Sequence, residues 1–144
     1  MSDKVLIDTN LWVYLYAKSP ETKYFKVKQL VETNFDNIIF SAQIIGELYH
    51  VLTKKNFCAK EEAKDIIVEI TTAFSVIAID TANVLKALDI NNKTGYSYWD
   101  SLVFATALLN DCRFLYSEDM QHNQIIENKT RIINPFGLTI NIDD

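Results

Sequence analysis

Cysteine is nearly missing from this chain: Cys58 and Cys112 are the only two. They form no C-x-x-C pair, and His50 and His122 lie far apart in the chain, so a zinc site is disfavoured. Two lone cysteines read as small buried or half-buried side chains, although a disulfide between them stays open from sequence alone. Glycine and proline are just as scarce, with three and two in 144 residues. A chain that is 49% hydrophobic with so few breakers does not have the composition of a disordered tail; it fits one compact domain with a sizeable core. Basic residues are outnumbered, 14 against 19 acidic, for a formal charge of -5. That balance argues against a protein whose whole surface grips nucleic acid through phosphate contacts. It leaves room for chemistry at an acidic cleft, where bound divalent cations invert the local field, or where a partner lends positive charge. Long apolar runs are missing too. The longest, such as Leu102–Leu109, fall far short of a membrane span. Val5-Leu6-Ile7, after Met1-Ser2-Asp3-Lys4, is too short for the apolar stretch of a signal peptide. The expectation is a cytoplasmic protein without a membrane segment.

What is present is an alternation of two kinds of segment. Short β-rich apolar runs stand at Val5–Ile7, Ile38–Phe40, Val76–Ile79, Phe114–Tyr116 and Arg131–Ile133. The early ones are continuous rather than alternating, as strands buried on both faces of a parallel sheet require. Between them the spacing predicts helices over 10–17, 22–33 after the break at Pro20, a segment capped by Ser41 and reaching Lys55, 60–73, a segment capped by Asp80 and reaching about Asn91, and Tyr98 to Asn110. The last is apolar nearly all round and should be central. Strand–helix alternation implies an α/β class: a three-layer α/β/α sandwich with a mostly parallel central sheet and right-handed crossovers. The expected domain is the whole of 1–144, with a core at about 4–135. The tail at 136–144, from Leu138 on, either adds an edge strand or stays loose.

The acids carry the functional signal. Asp8 follows the first strand and precedes a helix, Asp100 lies in the first turn of the most apolar helix, and Asp119 follows the strand ending at Tyr116. In an open parallel sheet these places share one edge, the edge where ligands bind. Glu47, little more than a turn into its helix, can lean back to the same rim. Each acid also has a plain alternative. Asp8 can cap a helix, Asp100 fits a capping box with Ser97, and Asp119 can be a loop residue beside Glu118. Asp80 has the same strand-end position as Asp8 and is read only as a cap. Glu47 resists dismissal, because it borders the apolar stripe Ile44, Leu48, Val51 and Leu52 with no Lys or Arg one turn away. Clustered carboxylates repel one another unless a cation neutralises them, and oxygen ligands without Cys or His suit Mg²⁺ or Mn²⁺. Tyr96, Tyr98 and Trp99, just before Asp100, either stack on bases at a cleft mouth or anchor the helix by packing.

Four blocks in order, Val5-Leu6-Ile7-Asp8-Thr9-Asn10, Ser41-Ala42-Gln43 with Glu47-Leu48, Tyr98-Trp99-Asp100-Ser101-Leu102 and Tyr116-Ser117-Glu118-Asp119, resemble the PIN domain family, in particular the VapC-like toxins of toxin–antitoxin pairs. The resemblance runs from the first strand to about Pro135. It implies a metal-dependent endoribonuclease that hydrolyses RNA phosphodiester bonds, with Asp8, Glu47, Asp100 and Asp119 as catalytic metal ligands for Mg²⁺ or its substitute Mn²⁺. It implies that Thr9, Asn10 and Ser117 orient ligands or water, that Asp119 rather than Glu118 is the last acid, and that the protein forms a homodimer and pairs with a small antitoxin. Apolar residues left over on Phe25, Leu30 and Val31, and on Ile66, Ile67 and Ile70, are where such a dimer would form. Two rival classes remain: a PIN-like fold that only binds RNA or protein, and a receiver-like phosphoacceptor with Asp80 at a middle strand. The second lacks a paired acid after Asp8, where Thr9-Asn10 stands, and a Lys after the last strand.

Overall fold

The computed structural model describes residues 3–137, so Leu138–Asp144, the possible edge strand, lies outside the described residues. Its elements run β1 (Val5–Ile7), α1 (Thr9–Ala17), α2 (Glu21–Asn34), β2 (Ile38–Ser41), α3 (Ala42–Lys54), α4 (Lys60–Ala73), β3 (Ser75–Ile77), α5 (Thr81–Thr94), α6 (Tyr98–Leu109), β4 (Phe114–Tyr116), β5 (Ile125–Ile126) and β6 (Thr130–Ile133). The sheet order is β3-β2-β1-β4-β6-β5, parallel throughout except for β5 against β6. Every expected helix is present. Most boundaries shift by a residue at most, and two move further: the third strand is Ser75–Ile77 rather than Val76–Ile79, and α5 runs on to Thr94, where Gly95 at φ 78° ends it in the left-handed region. The two-residue strand β5 has no counterpart in the sequence reading, because two residues are too few to show any period.

Right-handed crossovers explain the layers. The chain steps from β1 to β2 to β3 in one direction, which puts α1 to α4 on one face. It then returns past β1 to β4, which puts α5 and α6 on the other. The packing agrees: α1 lies on α2 and α3, α3 on α4, and α5 on α6. The β1 strand is buried throughout. On the α1 side Trp12 stacks on Phe40 at 4.5 Å between ring centres, and its indole N–H donates to the Ile7 carbonyl at 3.1 Å. On the α6 side every residue from Ser101 to Leu108 is buried, as its apolar circumference demands. Among the described residues no helix is long and apolar enough to cross a membrane, and both cysteines are free, Cys112 buried and Cys58 half-buried.

The sheet order has one consequence for function. Strand β1 pairs with β2 on one side and β4 on the other, so the chain's direction across the sheet reverses between β1 and β4. The strand ends there leave a crevice that neither crossover covers. A receiver-like domain has a different order, 2-1-3-4-5. Here Asp80 follows the edge strand, and its carboxylate is used in a capping box with Asn83. The receiver reading is thereby set aside.

Candidate active site

Asp8 sits where β1 ends and α1 begins. Its Oδ1 accepts from the backbone N–H of Thr9 at 2.8 Å, and its Oδ2 accepts from the Ser117 hydroxyl at 3.0 Å. Ser117 follows β4, so this bond joins the two strands that flank the crevice. The cap is an incomplete one: an N-cap side chain ordinarily satisfies the second or third helical N–H, and here Asp8 reaches only the first. The residue is 7% exposed. Burial pushes its carboxyl up to about 7, and the neighbouring charges of Asp100 and Glu47 push the same way.

The other acids arrive from different elements. Glu47, on α3, accepts from the Thr9 hydroxyl at 2.7 Å and more distantly from the Gln43 amide at 3.4 Å. Its lean toward the rim is the one expected. Asp100, in the first turn of α6, has its N–H capped by the Ser97 hydroxyl at 3.1 Å, which is the Ser97 half of the expected capping box. It does not exhaust the carboxylate, which burial raises above its ordinary range, as do the charges of Asp119 and Glu47. Asp119 is exposed at the mouth and accepts from the Asn10 amide at 2.8 Å, while its own N–H donates to the Ser117 hydroxyl at 3.2 Å. Thr9, Asn10 and Ser117 thus each hold one of the acids. Glu118 faces away, bonded to Tyr14 and paired with Lys23 at 2.8 Å. Two neighbouring acids in one loop therefore have separate environments, and only Asp119 joins the cluster.

Asp8, Thr9, Asn10, Glu47, Asp100 and Asp119 line one cleft of about 460 Å³, together with Gly46, His50, Val51, Trp99 and Val103. No Lys or Arg is among its lining residues. Four carboxylates on one wall with no organic cation destabilise one another, and a divalent cation is the group that would relieve them. Among the described residues no three His, Cys, Asp or Glu side chains close around a single ion unaided. An all-oxygen donor set of this kind would suit a hydrated Mg²⁺, which keeps several waters and takes one or two carboxylates directly.

The sequence reading missed His50, which lines the cleft three residues after Glu47 on the same helix. The i, i+3 spacing from an acid already singled out was the available signal. It also left the tyrosines before Asp100 open. Tyr96 packs instead on the 121–124 segment, bonding to the Gln124 side chain and accepting from the Gln121 N–H at 3.0 Å. Trp99 alone of the three lines the cleft.

A profile of the PIN domain matches residues 5–127. A comparison with curated proteins gives no match. Among solved structures, DNA-bound VapBC from Salmonella typhimurium is similar at TM-score 0.70 and 16% identity, over 94% of this chain and 99% of that one. A toxin–antitoxin complex from Klebsiella pneumoniae is similar at 0.69 and 16%, over 92% and 98%. The sarcin–ricin loop cleaving toxin VapC20 of Mycobacterium tuberculosis is similar at 0.65 and 17%, over 78% and 87%. The profile spans both flanks of the β1–β4 crevice and all four acids, and this chain belongs to the PIN domain family.

Proposed function

We propose that this protein is a divalent-metal-dependent endoribonuclease, and that it serves as the toxin of a toxin–antitoxin pair. The observation that carries the chemistry is Asp8: a carboxylate buried at the crevice of the sheet, facing other acids and no cation. Asp8 and Asp100 would hold the metal directly, with Glu47 and Asp119 completing the acidic wall. When bound, Mg²⁺ or Mn²⁺ makes an attacking water more acidic and screens charge on the phosphoryl and leaving oxygens.

The chain's own residues do the remainder. Ser117 and the Thr9 N–H fix both oxygens of Asp8, so its carboxylate does not rotate away. Thr9 does the same for one oxygen of Glu47. Asp119 uses one oxygen on Asn10 and is the most exposed of the four, which makes it the acid best placed to take a proton from water at the mouth. The VapC20 neighbour is named as a sarcin–ricin loop cleaving toxin, and the Klebsiella and Salmonella neighbours are named as a toxin–antitoxin complex and a DNA-bound VapBC. These names support RNA as substrate and a small antitoxin as partner.

A homodimer belongs to the same proposal. Phe25 is exposed, while Leu30, Val31, Ile66 and Ile67 are only half-buried. Ile70 does not contribute, because it is buried inside the fold, and the exposed apolar residue of α4 is Val68 instead. A monomer by light scattering at high concentration would remove the dimer without touching the chemistry. The nuclease reading is tested by incubating mixed RNA with the protein in Mg²⁺ or Mn²⁺, and again in EDTA. Cleavage only with the metal is expected. RNA left intact in millimolar metal leaves a binding module in place of an enzyme.

A further inference from the structure

The exposed indole of Trp99 lies on the cleft wall immediately beside the acids. It is 62% exposed, unusually open for a tryptophan. It is nevertheless held in place. Tyr98 meets it edge-on at 5.0 Å and 76° between ring planes, and the Gln43 amide donates to the Trp99 carbonyl at 3.1 Å while also reaching Glu47 at 3.4 Å. One side chain of α3 therefore ties the backbone of Trp99 to an acid of the cluster.

Trp99 and Asp100 line the same cleft, so a carboxylate suited to the metal end of a phosphate and a flat aromatic face are within the reach of one nucleotide. The cleft of about 460 Å³ falls inside the ~300–1,000 Å³ that small-molecule sites occupy. With no Lys or Arg lining it, the cleft lacks the side chains that would hold a strand by its phosphates. Affinity for RNA has to come from the metal and from the bases.

We propose that Trp99 is a base-stacking platform, and that the cleft takes an unpaired nucleobase of single-stranded RNA, next to the scissile phosphate. The inference rests on the nuclease reading for its substrate. A base inside a duplex has both faces covered by its neighbours, so the platform selects unpaired or extruded nucleotides. It tolerates sequence, because every base has a face to stack.

Fluorescence tests it apart from catalysis. The chain has two tryptophans; Trp12 is buried, and the difference between wild type and Trp99→Phe isolates the signal of Trp99. A short single-stranded RNA, added with Mg²⁺ and read by stopped flow before it is cut, should quench that signal. An abasic strand of the same length should not. In cleavage assays Trp99→Ala should raise KM for single-stranded RNA about 5- to 150-fold, the ratio that a stacking contact of ~1–3 kcal/mol per base converts to. Trp99→Phe should recover most of it. Quenching without any cleavage would keep the platform and remove the nuclease. Cleavage with no quenching and an unchanged KM in Trp99→Ala would overturn the platform alone, and would leave Trp99 to a protein partner.

Discussion

Asp8 and Asp80 have the same local address: each stands between a strand and the helix that follows it. Their environments have little else in common. Asp80 follows β3 at the sheet edge, is exposed, and closes a capping box by accepting from Ala82 at 3.1 Å and Asn83 at 3.4 Å. Asp8 follows the central strand, is buried, reaches only the first helical N–H, and faces two other acids. A carboxylate that caps a helix at an edge is a structural device worth about 1 kcal/mol. A carboxylate at the point where the sheet reverses direction is held at a cost to the fold, and the proposed return is a metal site. Position in the sheet decides, because the crevice between β1 and β4 is where acids from four elements come together.

Replacing each aspartate by asparagine should break the comparison open most widely. Asp8→Asn should lower metal-dependent RNA cleavage by roughly 100-fold or more, the upper end of what even supporting residues of metal sites cost. Asp100→Asn should do the same although its N–H cap by Ser97 survives. Asp80→Asn should leave activity at the wild-type level, since Asn and Asp cap alike. Equal activity in all three variants removes the site.

Stability against pH gives the next effect. In the metal-free folded chain the Asp8 carboxyl stands at about 7 against an ordinary 3.8. Between those values the folded state binds more protons than the unfolded one, so the metal-free fold loses stability as pH rises from about 4 to about 7. Denaturant melts in EDTA across that range should show this decline, flattened in Asp8→Asn. Asp100, also raised, leaves a smaller slope behind. A wild-type profile that rises over the same range contradicts the burial of Asp8 as an unpaired acid.

The side chains that steady the acids come third. Ser117→Ala and Thr9→Val each remove one hydroxyl bonded to an acid. Either should reduce cleavage by about 10- to 100-fold, with far-UV circular dichroism unchanged. The smallest effect belongs to the edge: Asp80→Ala should cost about 1 kcal/mol in a melt while RNA cleavage stays intact.

Much of this was legible in the sequence. The continuous apolar run Val5–Ile7 announced a strand buried on both faces, and the unbroken apolar circumference of Tyr98 to Asn110 announced a central helix; both hold. Asp8, Asp100 and Asp119 were legible as a set because strand ends and helix starts share an edge in a parallel sheet, and Glu47 because it borders an apolar stripe with no cation one turn away. What could not be read was their division of labour. Only the resemblance to the family pattern distinguished Asp119 from Glu118; the structure separates them through Lys23 and Tyr14, which are remote in sequence and draw Glu118 away. His50 carries only the weak signal of standing three residues after Glu47, because a histidine on an amphipathic helix has no stronger signature until the facing wall is known. Tyr96 looked equivalent to Trp99 for the same reason, and its bonds to the 121–124 segment show otherwise.

The central claim is that the acids at the β1–β4 crevice hold a divalent cation. Titration calorimetry with Mn²⁺ on wild type, Asp8→Asn and Asp80→Asn, each verified as folded in EDTA, measures that directly. Binding by wild type and Asp80→Asn, with binding abolished or weakened by roughly 10-fold or more in Asp8→Asn, is the result expected. Mn²⁺ affinity that is the same in Asp8→Asn as in wild type, or no binding to wild type at millimolar metal, would contradict it.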